Sequence, residues 1–283
     1  MKIILFGEDG FSSIVLQSLI KEKHNILGVF CPFYNNKIHT KLSKTCEENN
    51  ILFKIISDFS SDVFINEITS LQPDIGVICH FQKLIKKELI NIPKYGFINL
   101  HPSLLPKYRG MSPQHWPIIN GDNETGITVH FIDEDVDTGD IILQVKIPIS
   151  KDEYVSELQN RMKPIYSTIV KESINIILKE DKTKYIKQNH LEGSYYKKLK
   201  ENHLKIDINK SYIDAYNLIK GVSFPYPGAR LYNFIIWKAI PIIDNKYFFD
   251  FKNGIITLEN GDKFIKFNDG VLKIIKLNES NEK

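Results

Sequence analysis

The sequence predicts an α/β fold: a mostly parallel sheet covered by helices, followed by a small, mainly β domain. Three observations carry that expectation. Short apolar runs alternate with helix-like segments through the first half of the chain. Those runs are continuous rather than alternating, as strands buried on both faces require. Beyond about residue 190 the pattern changes to short strands separated by Asn-Gly and Asp-Gly turns.

In chain order, the buried-strand candidates are Ile3 to Phe6, Ile26 to Phe30, Leu52 to Ile56, Ile75 to Cys79 and Phe97 to Leu100. Helices are expected between them at Ser12 to Lys23, Thr40 to Asn50 and Asp62 to Leu71, each opening on a residue able to cap free amides. That rhythm implies right-handed crossovers in a parallel sheet. Two β-rich runs follow, Thr125 to Ile132 and Ile141 to Ile149, joined by the polar turn Asp133 to Asp140. Tyr154 to Leu178 reads as a long helix, with Pro164 expected to kink it. A composition change after Lys179 and a break at Gly193-Ser194 place a domain junction near residue 190. Beyond it the sequence predicts one helix, Tyr212 to Gly221, with Ser211 and Asp214 as a capping box. Turn signals at Asn253-Gly254, Asn260-Gly261 and Asp269-Gly270 then suggest a small antiparallel barrel or sheet, and residues 278 to 283 are expected to fray.

With 283 residues and 42% apolar content the chain can bury a substantial core. Its 37 Lys and Arg stand against 34 Asp and Glu, and this near balance gives little support for nucleic-acid binding. Cys31, Cys46 and Cys79 lack paired spacing, so neither a disulfide framework nor a zinc site is expected, and a reducing cytoplasm is the implied compartment. No leader segment and no membrane span are read from the sequence.

Asn99 and His101 share one face at the end of an apolar strand, because strand side chains alternate with period two, and Pro102 closes the strand just after them. Asp137 lies on a later turn beside Gly139. An amide, an imidazole and a carboxylate converging at the carboxyl end of a parallel strand suit proton-handling group transfer: Asn99 donates to a developing oxyanion, His101 exchanges protons, and Asp137 orients the imidazole or a water. The acidic turn Asp133 to Asp140 lacks EF-hand spacing, and His101, His115 and His130 lack zinc spacing, so no metal is expected. The turn Gly7 to Gly10, leading into a helix at Ser12, could present amides to an anion. It lacks the dinucleotide fingerprint, and Glu8 and Asp9 would repel a pyrophosphate. Arg109, in Pro106-Lys107-Tyr108-Arg109-Gly110, is either a two-pronged anion ligand or an exposed basic residue. Phe224-Pro225-Tyr226-Pro227-Gly228 either packs the domain junction or walls a pocket.

The strings INLHPSLLPKYRG, ETGITVHFIDEDVDTGD and GVSFPYPGA resemble the tetrahydrofolate-dependent formyltransferases, with Asn99, His101 and Asp137 falling on that family's catalytic three. The resemblance is strongest from about Ile75 to Ile149. It implies a Rossmann-like catalytic domain over 1–190 and a small C-terminal α+β, OB-like domain over 191–283. It also implies 10-formyltetrahydrofolate as donor, with the pterin beside Phe81, Gln82, Lys83, Leu84 and Ile85 and against the turn carrying Asp133 and Val136. For the acceptor, the candidate contacts are Gly10, Ser12, Pro102, Ser103, Arg109, Gly110, Phe224 and Tyr226. The segment Pro32 to His39 is short, and Lys37 is its only Lys or Arg, whereas the tRNA-formylating branch carries a long basic insertion there. Together with the segment GSYYKKLKENHLKIDINKS, this makes the chain most similar to nucleotide-sugar N-formyltransferases. The implied acceptor is a nucleotide-linked amino sugar, for instance a dTDP-4-amino-4,6-dideoxyhexose destined for a surface glycan. Methionyl-tRNA formylation and a catalytically inactive binding module are the alternatives. Homodimerisation through the C-terminal domain is a further expectation.

Overall fold

The computed structural model describes all residues except Asp9, 35–38, Asp181, Asn245 and 280–283, and omits the side chain of Lys182. The expectations for Asp9, for Lys37 and its neighbours, and for most of the fraying tail lie outside the described residues.

Two compact units are present. One comprises residues 1–110, 126–147 and 161–195, and the other comprises 111–125, 148–160 and 196–283. The units are therefore discontinuous: two stretches from the first 190 residues fold with the later part of the chain.

The first unit is built around a seven-stranded sheet ordered β3-β2-β1-β4-β5-β7-β8. Its leading strands are β1 (Lys2–Gly7), β2 (Asn25–Pro32), β3 (Phe53–Ile56), β4 (Ile75–Cys79) and β5 (Phe97–His101). These five run parallel, with β1 between β2 and β4. The helices between them are α1 (Phe11–Lys21), α2 (Thr40–Glu48), α3 (Asp62–Leu71) and the short α4 (Lys87–Ile90). Past β5 come β6 (Arg109–Gly110), α5 (Trp116–Ile119), β7 (Glu124–Phe131), β8 (Ile141–Pro148) and α6 (Val155–Leu178). Strand β7 pairs antiparallel with β5, so the sheet is mixed at this edge. Helix α6 runs through Pro164 as one element. The short strand β9 (Tyr195–Tyr196) pairs with β6.

The strand order reverses beside β1, and in open α/β sheets this switch creates a crevice at the carboxyl ends of the strands. One side chain fixes that crevice. Ser12 Oγ donates to the Cys79 carbonyl at 2.6 Å and accepts from the Glu8 amide at 3.1 Å, joining the ends of β1 and β4. The expected side-chain caps therefore differ in part. Helix α1 starts after Gly10, which lies at φ 91° without a side-chain cap, and α2 starts after His39, also uncapped. Of these three helices, only α3 has the expected kind of cap, from Ser61 rather than Asp62, its hydroxyl accepting from the Phe64 amide at 3.4 Å.

The second unit contains α7 (Tyr212–Gly221) and a five-stranded antiparallel sheet ordered β10-β11-β14-β13-β12. The strands are β10 (Ala229–Leu231), β11 (Phe234–Pro241), β12 (Gly254–Thr257), β13 (Lys263–Lys266) and β14 (Val271–Glu279). Its core gathers Ile219 and Val222 from α7 and the residue after it, with Ile236, Ile265, Phe267 and Leu272 from the sheet region. Ser211 caps α7 by accepting from the Ile213 amide at 3.1 Å. Asp269 on a distant turn adds a further acceptor, taking the Tyr212 amide at 3.0 Å.

The core on one face of the larger sheet is aromatic. Phe6 is fully buried, with ring centroids of Phe30, Phe59, Phe64, Phe81 and Phe97 between 5.3 and 6.1 Å away. Removing it opens a cavity lined by rings on several elements that cannot all collapse inward. Phe6→Ala is expected to lower stability by about 3–5 kcal/mol in urea unfolding, without changing the slope of the transition.

Candidate active site

Strand β5 ends in Asn99, Leu100 and His101, and the period-two alternation sends the first and third to the same side. Across the antiparallel pair, His130 of β7 lies directly opposite Asn99, and Thr128 opposite His101. The turn after β7 then brings Asp137 back over these residues. Gly139 makes this return possible, because a Cβ there would stand 1.9 Å from the Phe131 carbonyl oxygen. Asp137 itself adopts φ 56°, a left-handed conformation that few non-glycine residues take.

The three predicted groups thus meet in the first unit. Asp137 Oδ2 lies 3.6 Å from His101 Nδ1, and Asp137 Oδ1 lies 3.6 Å from His130 Nε2. The amide nitrogen of Asn99 is 3.4 Å from Asp137 Oδ1 and 3.2 Å from His130 Nε2. The backbone amide of Gly110 donates to Asp137 Oδ2 at 2.8 Å. Asp137, although on a polar turn, has only 13% of its side chain accessible.

Tautomers follow from the fixed acceptors. His101 Nε2 lies 2.9 Å from the Tyr108 carbonyl, which can only accept, so Nε2 carries the hydrogen and Nδ1 is left basic beside Asp137. His130 Nδ1 likewise faces the Phe131 carbonyl at 2.8 Å, leaving Nε2 to accept from Asn99. Burial pushes the His101 pKa below the usual histidine value, outweighing the opposing pull of Asp137. For Asp137, burial raises the carboxyl pKa. The neighbouring imidazoles and the Gly110 amide overcome that effect and hold it well below the usual range. The site therefore pairs a neutral, basic imidazole with an ionised carboxylate. Such a pair can take up a proton and stabilise the resulting imidazolium, while the long contacts of the Asn99 amide can be exchanged for a better acceptor.

The segment expected to lie beside the pterin differs in exposure along its length. Leu84 is 81% exposed and Val136 42% exposed, leaving apolar surface on both loops. A Lys87–Glu134 ion pair ties the chain just after Ile85 to the turn before Asp137. Phe81 and Ile85 are half-buried against the aromatic core, whereas Gln82 and Lys83 are exposed. Asp133 accepts from the Thr138 hydroxyl at 2.6 Å, stiffening the turn.

The residues expected to contact the acceptor differ widely in burial and bonding. Arg109 is neither an exposed basic residue nor a free anion ligand. It is 1% exposed, with Nε and Nη2 donating to Gln188 Oε1 at 3.2 and 2.6 Å and Nη1 reaching the Tyr195 hydroxyl at 3.4 Å. Ser12 and Ser103 are fully buried, and the Ser103 hydroxyl is taken by the Lys107 carbonyl at 2.7 Å, so both serve the scaffold. Pro102 is buried with them. The amide of Gly110 is engaged by Asp137, whereas Gly10 is exposed at the start of α1. Phe224 and Tyr226 belong to the second unit. Phe224 is 64% exposed, while Tyr226 stacks edge-on against His115 and accepts from Gln159 at 2.5 Å.

Sequence reasoning missed His130 as a member of the site, and missed Thr128, which supports the loop after His101. The Thr128 hydroxyl donates to the Ser103 carbonyl at 2.7 Å and accepts from the Leu105 amide at 3.2 Å. Their shared parity along the strand was a signal, but only the pairing register reveals what they face. Among the described residues no group of His, Cys, Asp and Glu could hold a metal ion, and no helix is long and apolar enough to cross a membrane.

A model of the formyl transferase family matches residues 1–174. The methionyl-tRNA formyltransferase of Clostridioides difficile is 35% identical, over 100% of this chain and 94% of that protein. Among solved structures, the sugar 3N-formyl transferase WlaRD, determined in the presence of dTDP and 5-N-formyl-THF, matches with a TM-score of 0.75 at 26% identity, covering 100% of this chain and 99% of that one. The N-formyltransferase from Helicobacter canadensis, in complex with folinic acid and dTDP-3-aminofucose, has the same fold, with a TM-score of 0.73 at 23% identity over 98% and 100% of the two chains. Together with an amide, an imidazole and a carboxylate meeting at the end of β5, these matches establish that the chain belongs to the formyl transferase family.

Proposed function

We propose that this formyltransferase moves the formyl group of 10-formyltetrahydrofolate to the primary amine of a nucleotide-linked amino sugar. The observation that carries the reading is the end-to-end likeness to a sugar 3N-formyl transferase, which extends over the small β unit as well as the catalytic one. The near balance of 37 basic and 34 acidic residues also favours a small acceptor over a polyphosphate chain. The sequence resemblance suggested an amine at C4, and the structural likeness favours C3.

In the proposed reaction the amine nitrogen attacks the formyl carbon, a new C–N bond forms, and the bond from that carbon to the folate nitrogen breaks. Asn99 turns an amide hydrogen toward the developing oxyanion. His101 takes the proton released by the attacking nitrogen and returns it to the departing folate nitrogen. Asp137 stabilises the imidazolium in between. Leu84 and Val136 offer apolar cover to the pterin, with Phe81 and Ile85 anchoring the segment.

The second reading is formylation of methionyl-tRNA, favoured by 35% identity across the full chain to an enzyme of that name. Incubation with formyl donor and either dTDP-3-amino or dTDP-4-amino dideoxyhexoses should yield the N-formyl sugar, detected by mass. Formylation of charged initiator tRNA with the sugars untouched, falling steeply with added salt, overturns the proposal.

Asn99→Ala and His101→Ala should each lower kcat by about 10²–10⁴-fold while leaving the melting temperature within a few degrees, since both side chains act on reacting groups. Near-normal turnover in both would refute their roles. Because burial lowers the His101 pKa, the base stays unprotonated further into acid than a free histidine. The acid limb of the kcat/KM profile should therefore lie below about 6.5, the ordinary histidine value. A limb above that value would mean that His101 is not the base.

A further inference from the structure

Gln188 is 7% exposed, lies outside every motif that carries the family resemblance, and has each hydrogen-bonding position of its carboxamide engaged. Its Nε2 donates to two carbonyls of the catalytic turn, those of Asp137 at 2.9 Å and Gly139 at 2.8 Å. Its Oε1 accepts twice from the buried guanidinium of Arg109, at 2.6 and 3.2 Å. Arg109 is in turn enclosed. Its ring contact is Tyr195, 5.4 Å from the centroid, its backbone amide donates to Ser194 at 2.8 Å, and a Cβ on Gly193 would stand 2.9 Å from Nη1.

Three consecutive residues therefore bear on the site, two directly and one through Gln188. The Tyr108 carbonyl fixes the His101 ring, Arg109 holds Gln188, and the Gly110 amide holds the Asp137 carboxylate. The carboxylate is gripped from one side and its own main-chain carbonyl from the other. We propose that Gln188 is a positioning residue for formyl transfer: anchored by Arg109, it clips the turn that keeps Asp137, at its left-handed φ, beside His101. An amide is required for this. A carboxylate would satisfy Arg109 but would repel the two carbonyls, and an apolar group would satisfy neither.

This inference rests on the assignment of His101 and Asp137 as the proton-handling pair, and does not depend on which acceptor is used. Gln188→Glu keeps a partner for Arg109 and should fold. It is expected to lower kcat at least tenfold per folded molecule, with the acceptor KM changed less than threefold. In an Asp137→Asn background the same change should cost less than twofold more, because the pair it serves is already broken. A second readout needs no acceptor. In the ligand-free protein, NMR titration of His101 should move to lower pH in Gln188→Met, in the same direction as in Asp137→Asn. The groups facing that ring are Asp137, His130 and Arg109, and Met adds no charge to them. Wild-type kcat in Gln188→Glu, full additivity with Asp137→Asn, or an unmoved His101 titration in folded Gln188→Met each overturns the inference. An inactive wild-type protein with every amino sugar, by contrast, counts only against the acceptor.

Discussion

Asp137 keeps a negative charge where water reaches little of its side chain. A carboxylate in such a place would ordinarily take up a proton, because burial disfavours the charged form. Here His101, cationic in the acid range where the carboxylate would titrate, together with His130 and the Gly110 amide, reverses that preference. The consequences spread outward. An ionised Asp137 makes a protonated His101 tolerable for the moment it exists, although burial keeps His101 neutral at rest. The two shifts run in the same direction for different reasons, leaving base and counter-charge 3.6 Å apart. Without the carboxylate, the imidazole would be a weak buried base with nothing to stabilise its conjugate acid.

Much of the first unit exists to hold that pair. The parallel strands bring β5 to its place beside β4, and the antiparallel return of β7 sets His130 against Asn99 and Thr128 beneath the loop after His101. That loop then curls so that its Tyr108 carbonyl meets the very ring it follows in sequence. Buried polar groups are costly unless paired, so Ser12, Ser103, Thr128, Arg109 and Gln188 each find partners within the scaffold. Several residue types that suggest ligand contacts in a sequence are, in this fold, hydrogen-bonded within the first unit.

In the proposed reaction Asn99, His101 and Asp137 serve transfer of the formyl carbon to an amine, and these roles are indifferent to what carries the amine. A sugar amine and an aminoacyl amine present the same nucleophile. This chain can therefore be similar both to a relative named for one acceptor and to a solved structure named for another.

The sequence by itself determined the sheet-and-helix rhythm, the small β unit and the three polar groups of the site, because these are written in local pattern: unbroken apolar runs, turn glycines, and Asn99 and His101 two residues apart on a strand. It also carried the family strings. What depends on partners distant in sequence was decided only by the tertiary structure. His130 joins the site through strand register, Asp269 from a distant turn accepts an amide at the start of α7, and Gly110 reaches Asp137 across 27 residues. Arg109 illustrates the reason: an arginine in a loop looks available, and only its burial against Gln188 and Tyr195, contributed by chain about 80 residues further on, turns it inward. Local pattern fixes what a segment is, whereas hydrogen-bond partners and burial are set by which segments meet.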